Sequence, residues 1–193
     1  GASAINEGII KSSGASGMRA ESGGYAENKE NGLIANNSST GIYVTGLGSL
    51  GENRGTITNN GMYGMWIEKE SVGKNYGVIQ NKGADGMIAT ESAVAQNYGI
   101  IKNIGDYGMW AQASGRIENY GTVQNIGNNG MMTNGASLIT NNGLIANTGD
   151  TGMSVQTGGT AVNGVDGIVR NGGNTGMIAS TTATATNYGL IEN

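Results

Sequence analysis

Two carboxylates are the first residues here that could do chemistry. Asp106 and Asp150 occupy the same column of a repeating chain, two repeats apart, with Asn128 between them. If each repeat is one rung of stacked strands, they stand about 9–10 Å apart. Inverting glycoside hydrolases use such a separation. No third group converges on the pair, however, and acids in glycine-rich turns are ordinarily solvated. Glu68, Glu70 and Glu91, near Lys69, read as an exposed charge mixture worth little. The chain has no histidine and no cysteine, which removes the usual triads and zinc sites. The calcium-binding Gly-Gly-x-Gly-x-Asp nonapeptide is absent. The expectation is no enzyme: no catalytic residue, no metal and no cofactor.

Binding chemistry has better candidates. One column reads Tyr43, Trp66, Ile88, Trp110, Met132 and contains both tryptophans of the chain. Each follows a residue that strand alternation turns inward, so each should face outward. Large apolar side chains exposed on successive rungs would mark an interface. The alternative is that they only shield the sheet beneath. A second outward column, Ile9, Leu33, Val78, Ile100, Leu144, Ile168 and Leu190, is also apolar, interrupted by Thr56 and Thr122. Tyr76, Tyr98 and Tyr120 share a third column, with Tyr188 further on. They are either a structural aromatic ladder or a platform on which a sugar stacks.

What positions these residues is a repeat. The stretch Asn97-Tyr98-Gly99-Ile100-Ile101-Lys102-Asn103 returns throughout, and its glycine is the ruler. Gly8, Gly32, Gly55, Gly77, Gly99, Gly121, Gly143, Gly167 and Gly189 are separated by 24, 23, 22, 22, 22, 22, 24 and 22 residues. A near-constant step over the whole length marks a repeat architecture. Two places after the glycine every copy has Ile or Val, as at Ile34, Ile79, Ile101 and Val123. Such β-branched side chains suit a packed, pleated surface. Four places after it comes asparagine, from Asn36 to Asn193, with Ser12 first. Asparagine tolerates turn conformations and can bond to the rungs above and below. A second asparagine column precedes the glycine and is broken by Glu30 and Val165.

A glycine follows, then Met or Ile, then Ala, Val or Ile two further on, with Thr133 the polar exception. That alternation gives a second inward-facing strand. A looser third segment carries small residues such as Gly51, Gly73, Ala95 and Ala185, which implies a narrow cross-section. A helical solenoid fails because three or more glycines per repeat each cost about 1 kcal/mol in a helix. The fold expected is all-β: a single-stranded parallel β-helix of about 22 residues per coil and eight to nine coils. Residues 1–193 form one continuous segment, a rod about 40 Å long. The extra residues near Ser12–Asn28, Asn36–Asn53 and Gly158–Val165 should lie at corners. Both termini fall within a repeat, so the segment reads as part of a longer array.

Composition narrows the partners. Among 193 residues there are 37 glycines, no proline and a net charge of −4, with ten Lys+Arg. A nucleic-acid binder would show a basic stripe, and none is visible. No 18-residue apolar run exists to insert in a membrane. No signal peptide is visible at the start.

The Asn-x-Gly-x-Ile-x-Asn and Gly-Met columns resemble the passenger region of type V autotransporters, in particular the long repeat-rich adhesins of Gram-negative oral bacteria. The resemblance runs from Asn6 to Asn193. It implies a right-handed β-helix displayed outside the cell and anchored to the outer membrane through a barrel elsewhere in the protein. It also implies a role in cell adhesion and virulence, with a host or bacterial cell-surface protein or glycan as partner. The coils are short and even with no side domain, which suits a stalk as well as an adhesive tip. Two alternatives remain at this point. One is a self-assembling fibre subunit, a homo-oligomer joined through the apolar stripes. The other is a carbohydrate-binding or polysaccharide-processing β-helix.

Overall fold

The computed structural model describes residues 1–193 and is all-β, with 26 strands and no helix. Each coil contributes one strand to each of three parallel sheets. The alanine sheet has nine strands, from Ser3–Asn6 to Thr184–Asn187. The isoleucine sheet has nine, from Ile9–Ser12 to Leu190–Glu192. The methionine sheet has eight, from Ser16–Glu21 to Thr175–Ala179. The molecule is therefore a parallel β-solenoid. Every strand pairs with its equivalent in the next coil: Ile79 with Ile101, Met87 with Met109, Ala95 with Ile117.

The core is built from the columns that alternation turns inward. Ile101 and Met109 are fully buried, as are Ile34, Ile57, Ile79, Val123, Ile145 and Val169. Burying one such side chain contributes roughly 1.5–3 kcal/mol. The glycine before each methionine is forced by this core. A Cβ on Gly86 would lie 2.3 Å from Ile101 Cγ2 and 2.5 Å from Gly108 O. The isoleucine of one sheet thus occupies the space that a side chain on the other would need.

The loose third segment follows a size rule. Across the corner between the methionine and alanine sheets, Val44 meets Gly51 and Ile67 meets Gly73; a Cβ on either glycine would come within 2.4 Å of its partner. Two coils later the sizes are exchanged, with Ala111 before Ile117. Large and small trade places between these coils, and no coil puts two large aliphatic side chains at this corner, as a close-packed interior demands. Thr133, followed by Ile139, is fully buried with its hydroxyl unpartnered.

Both asparagine columns are continuous hydrogen-bond ladders. From Asn36 to Asn193 each amide Nδ2 donates to the Oδ1 of the next rung at 2.8–3.0 Å. The second ladder runs Asn6, Asn28, Asn53, Asn75, Asn97, Asn119, Asn141, Asn163, Asn187. It is not broken at Glu30 and Val165. Those coils carry two extra residues between asparagine and glycine, which bulge out at 29–31 and 164–166 while Asn28 and Asn163 keep their places. The other insertion is at 46–49, between strands Thr40–Thr45 and Leu50–Asn53. The first extra pair therefore lies just beyond the expected Ser12–Asn28 stretch. All three are at corners, where lengthening leaves the ladders intact.

Candidate binding face on the methionine sheet

The outer surface of the methionine sheet holds the aromatic candidates, and its packing differs from a simple exposed stripe. Tyr43, Trp66 and Trp110 are half-buried, while Ile88 is only 2% and Met132 only 5% exposed. The expectation that Ile88 and Met132 are exposed is thus corrected. Ile88 pairs with Trp66 on one side and Trp110 on the other. With rungs about 4.8 Å apart, two indoles overhang the shorter side chain. Met132 sits between Trp110 and Ser154 and is covered in the same way. The column is a packed outer layer whose accessible parts are ring surfaces.

That layer includes two tyrosines that the sequence reading passed over. Tyr63 lies against Trp66 with ring centroids 5.4 Å apart, and Tyr107 against Trp110 at 5.3 Å, both tilted by 59°. Tyr43 reaches the far side of Trp66 at 5.1 Å, and the Arg19 guanidinium lies 4.9 Å above the Tyr43 ring. The signal was present: Tyr63-Gly64-Met65-Trp66 and Tyr107-Gly108-Met109-Trp110 are the same four-residue phrase two rungs apart. The rung between them reads Asp85-Gly86-Met87-Ile88.

Asp85 is the unexpected member. It pairs with Tyr63 and Tyr107 in the neighbouring rungs and is 1% exposed. Neither carboxyl oxygen has a hydrogen-bond partner. The Tyr107 N–H beside it donates to Ala84 O at 3.2 Å. Burial, reinforced by the Asp106 carboxylate and only partly offset by that nearby N–H, pushes its pKa up to about 8. Burial also raises the phenols of Tyr63 and Tyr107, with further contributions from nearby carboxylates. The indole Nε1 atoms of Trp66 and Trp110 are buried and unpartnered too.

Glu68 also departs from expectation. It is buried rather than part of an exposed charge mixture. Its carboxylate accepts a hydrogen bond from the Tyr43 hydroxyl and another from Thr45 Oγ1 at 3.0 Å. Tyr43 bends over it, closing that end of the aromatic layer. Glu70 and Glu91 are exposed.

The tyrosine column at the other corner is a true stack. Tyr76 and Tyr98 lie 5.1 Å apart at 11°, and Tyr98 and Tyr120 5.0 Å apart at 7°. Ring spacing is close to rung spacing, so the three parallel rings stack one per rung. Tyr98 is 42% exposed, yet both of its faces are covered by its neighbours. The outer face of Tyr76 is capped by Arg54 at 4.6 Å, whose guanidinium also binds Glu27 and Glu52 at 3.2 Å each.

Asp106 and Asp150 are exposed at corners. Each is engaged by the amide one rung on: Asn128 Nδ2 donates to Asp106 at 3.1 Å and Asn174 Nδ2 to Asp150 at 3.5 Å. In the polar cleft lined by Glu7, Glu27, Lys29, Glu30, Asn31 and Arg54, at the first bulged corner, both cations are already paired, Lys29 with Glu7 and Arg54 with Glu27. No group of three or more acidic side chains converges so as to hold a metal ion. Comparison with known protein families, curated proteins and solved structures finds no match.

Proposed function

We propose that this chain is an extracellular β-helical stalk or adhesion segment of a bacterial surface autotransporter, which displays or mediates cell-surface contacts. The observation that supports the reading is the constant register of the Ile/Val column and of one asparagine ladder through nine coils, with the second ladder continuous from Asn36. Such a rod is stiffened by contacts that each coil makes with its two neighbours, so length adds little folding complexity. It suits a spacer that holds contacts away from a membrane. The half-exposed aromatic face gives it somewhere to make contacts of its own. The resemblance of its repeat to autotransporter passengers supplies the cellular setting.

Protease treatment of intact producing cells, followed by an antibody against the chain, tests this. Loss of the antigen from intact cells is expected. An antigen cleaved only after cell lysis overturns the extracellular reading. Beads coated with the purified chain then separate stalk from adhesin: binding to cells assigns contact to this segment, and inert beads leave it a spacer.

Self-assembly has one observation in its favour. The corner beside the isoleucine sheet exposes Ile126 at 65% and Ile104 at 52%, next to an outward column that is half-buried at Leu33, Val78, Leu144 and Ile168 and exposed at Ile9, Ile100 and Leu190. Sedimentation that shifts with concentration, and is abolished by Ile104→Lys with Ile126→Lys, would make the rod a fibre subunit. Sugar stacking on the tyrosine column is disfavoured, because only the Tyr120 face turned towards Asn142 lacks a ring or guanidinium against it.

A further inference from the structure

Buried polar atoms without partners are uncommon, and each calls for an explanation. This chain has seven among its side chains, and four of them fall on three consecutive rungs of one face: both oxygens of Asp85 and the Nε1 atoms of Trp66 and Trp110. The same rungs hold Tyr63 and Tyr107, whose hydroxyls make no hydrogen bond to protein. Two tyrosines thus flank one buried carboxyl that no side chain satisfies, and an indole lies against each tyrosine.

We infer that Asp85, Tyr63, Trp66, Tyr107 and Trp110 form a binding site for an alkylated organic cation, a quaternary or methylated ammonium group. The spacing fits. Tyr63 and Tyr107 stand two rungs apart, about 9.6 Å. A cation at the level of Asp85 would stand one rung, about 5 Å, from the level of each tyrosine, a separation that a cation–π contact spans. Trp66 and Trp110 stand to either side of Ile88, the next outward position of the middle rung. Asp85 and Ile88 are closed over, at 1% and 2% exposure, so entry requires the Tyr63 and Tyr107 rings, which no hydrogen bond restrains, to swing aside. A methylated ammonium suits such a lining because its charge is diffuse and weakly hydrated, whereas a metal ion would demand several oxygen ligands that are absent. Binding requires the ionised carboxyl and therefore releases its proton. The titratable groups around it are Asp106 and the phenols of Tyr63 and Tyr107. The phenols stay neutral over the pH range concerned, since both are shifted upward.

Both tryptophans of the chain belong to this site, so indole emission reports on it alone. The intact chain would be titrated with choline, and in parallel with 3,3-dimethylbutan-1-ol, its uncharged isostere. Saturable change with choline and none with the alcohol is expected, with affinity rising as pH goes from 6 to 8. Asp85→Asn keeps the side chain's shape and should weaken choline by about tenfold or more. Tyr107→Leu should weaken it while leaving the rod folded by circular dichroism. No saturable response at about 100 mM choline, an equal response to the alcohol, or unchanged affinity in Asp85→Asn would each overturn the assignment.

Discussion

At Ser12 a single residue interrupts a ladder. Asn36 Oδ1, one rung on, is buried and unpartnered, although every later member of its column accepts an amide from the rung before. Ser12 instead spends its hydroxyl locally, accepting from Gly14 N at 3.1 Å and donating to Ser16 O at 3.2 Å. Ser12→Asn would place an Nδ2 donor under the orphaned oxygen. A gain of about 1 kcal/mol is expected, seen as slower amide exchange around Asn36; Ser12→Ala should give no such gain. Asp85 poses the opposite case. Its folded pKa of about 8 lies above the ordinary 3.8, so the folded chain keeps a proton that the unfolded chain has released. The Asp85 contribution to stability should be greatest below pH 4, fall by up to about 1.4 kcal/mol per pH unit through the window between those values, and level off above it. Asp85→Asn should flatten this slope and exceed the parent in stability at pH 8, as measured by urea denaturation at a series of pH values. The Ile and Asn columns could be read directly from the sequence because each repeats itself. Asp85 could not, because its burial is decided by tyrosines 22 residues to either side, and a column of unlike residues presents no pattern.

At the scale of the coil, the corner between the methionine and alanine sheets is where the chain is least comfortable. Successive residues there take left-handed conformations without being glycine: Lys69 and Glu70 at φ 56° and 59°, Glu91 and Ser92 at 52° and 62°, Ala113 and Ser114 at 49° and 64°. An L residue in this region costs roughly 1–2 kcal/mol, which the flanking ladders hold in place. Ala113→Gly and Ser114→Gly should each stabilise the rod by about 1 kcal/mol, raising the thermal midpoint; Gly108→Ala, on the neighbouring strand, should do the reverse. There a Cβ would lie 2.3 Å from Val123 Cγ1 and 2.6 Å from Gly130 O. The contrast explains what the sequence concealed. Glycine stands on the strands where the backbone is extended but crowded, whereas at the left-handed corner some coils have it, as at Gly23, Gly46, Gly48, Gly135 and Gly158, and the coils at 69–70, 91–92 and 113–114 do not. Gly108, for example, lies within the strand Tyr107–Ala111 and not at a turn. The bulges at 29–31 and 164–166 misled for a related reason: aligning on glycine moved Glu30 and Val165 into a column that belongs to Asn28 and Asn163.

Over the whole rod, no contact spans more than a few coils, so stability should be a sum of coil terms and neighbour terms. Ile101 tests this, because it sits near the middle, is fully buried, and fills the space above Gly86. Ile101→Asp removes one buried side chain and puts a charge in its place, at a cost of about 4 kcal/mol or more. In a globular core that loss would be shared by the entire domain. Here it should fall on the coils carrying Ile79, Ile101 and Val123, whose amides lose protection from hydrogen exchange. The coils around Ile34 and Ile57 on one side, and Ile145 and Val169 on the other, keep their own interfaces and should exchange nearly as slowly as in the parent chain. Thermal unfolding should then split into two steps. A uniform loss of protection along the chain, or one unshifted transition, would mean that the coils are coupled over longer distances than their contacts allow. A rod built from coils that fail one at a time would bend at a damaged rung while the parts beyond it stay folded, which a single cooperative core cannot do.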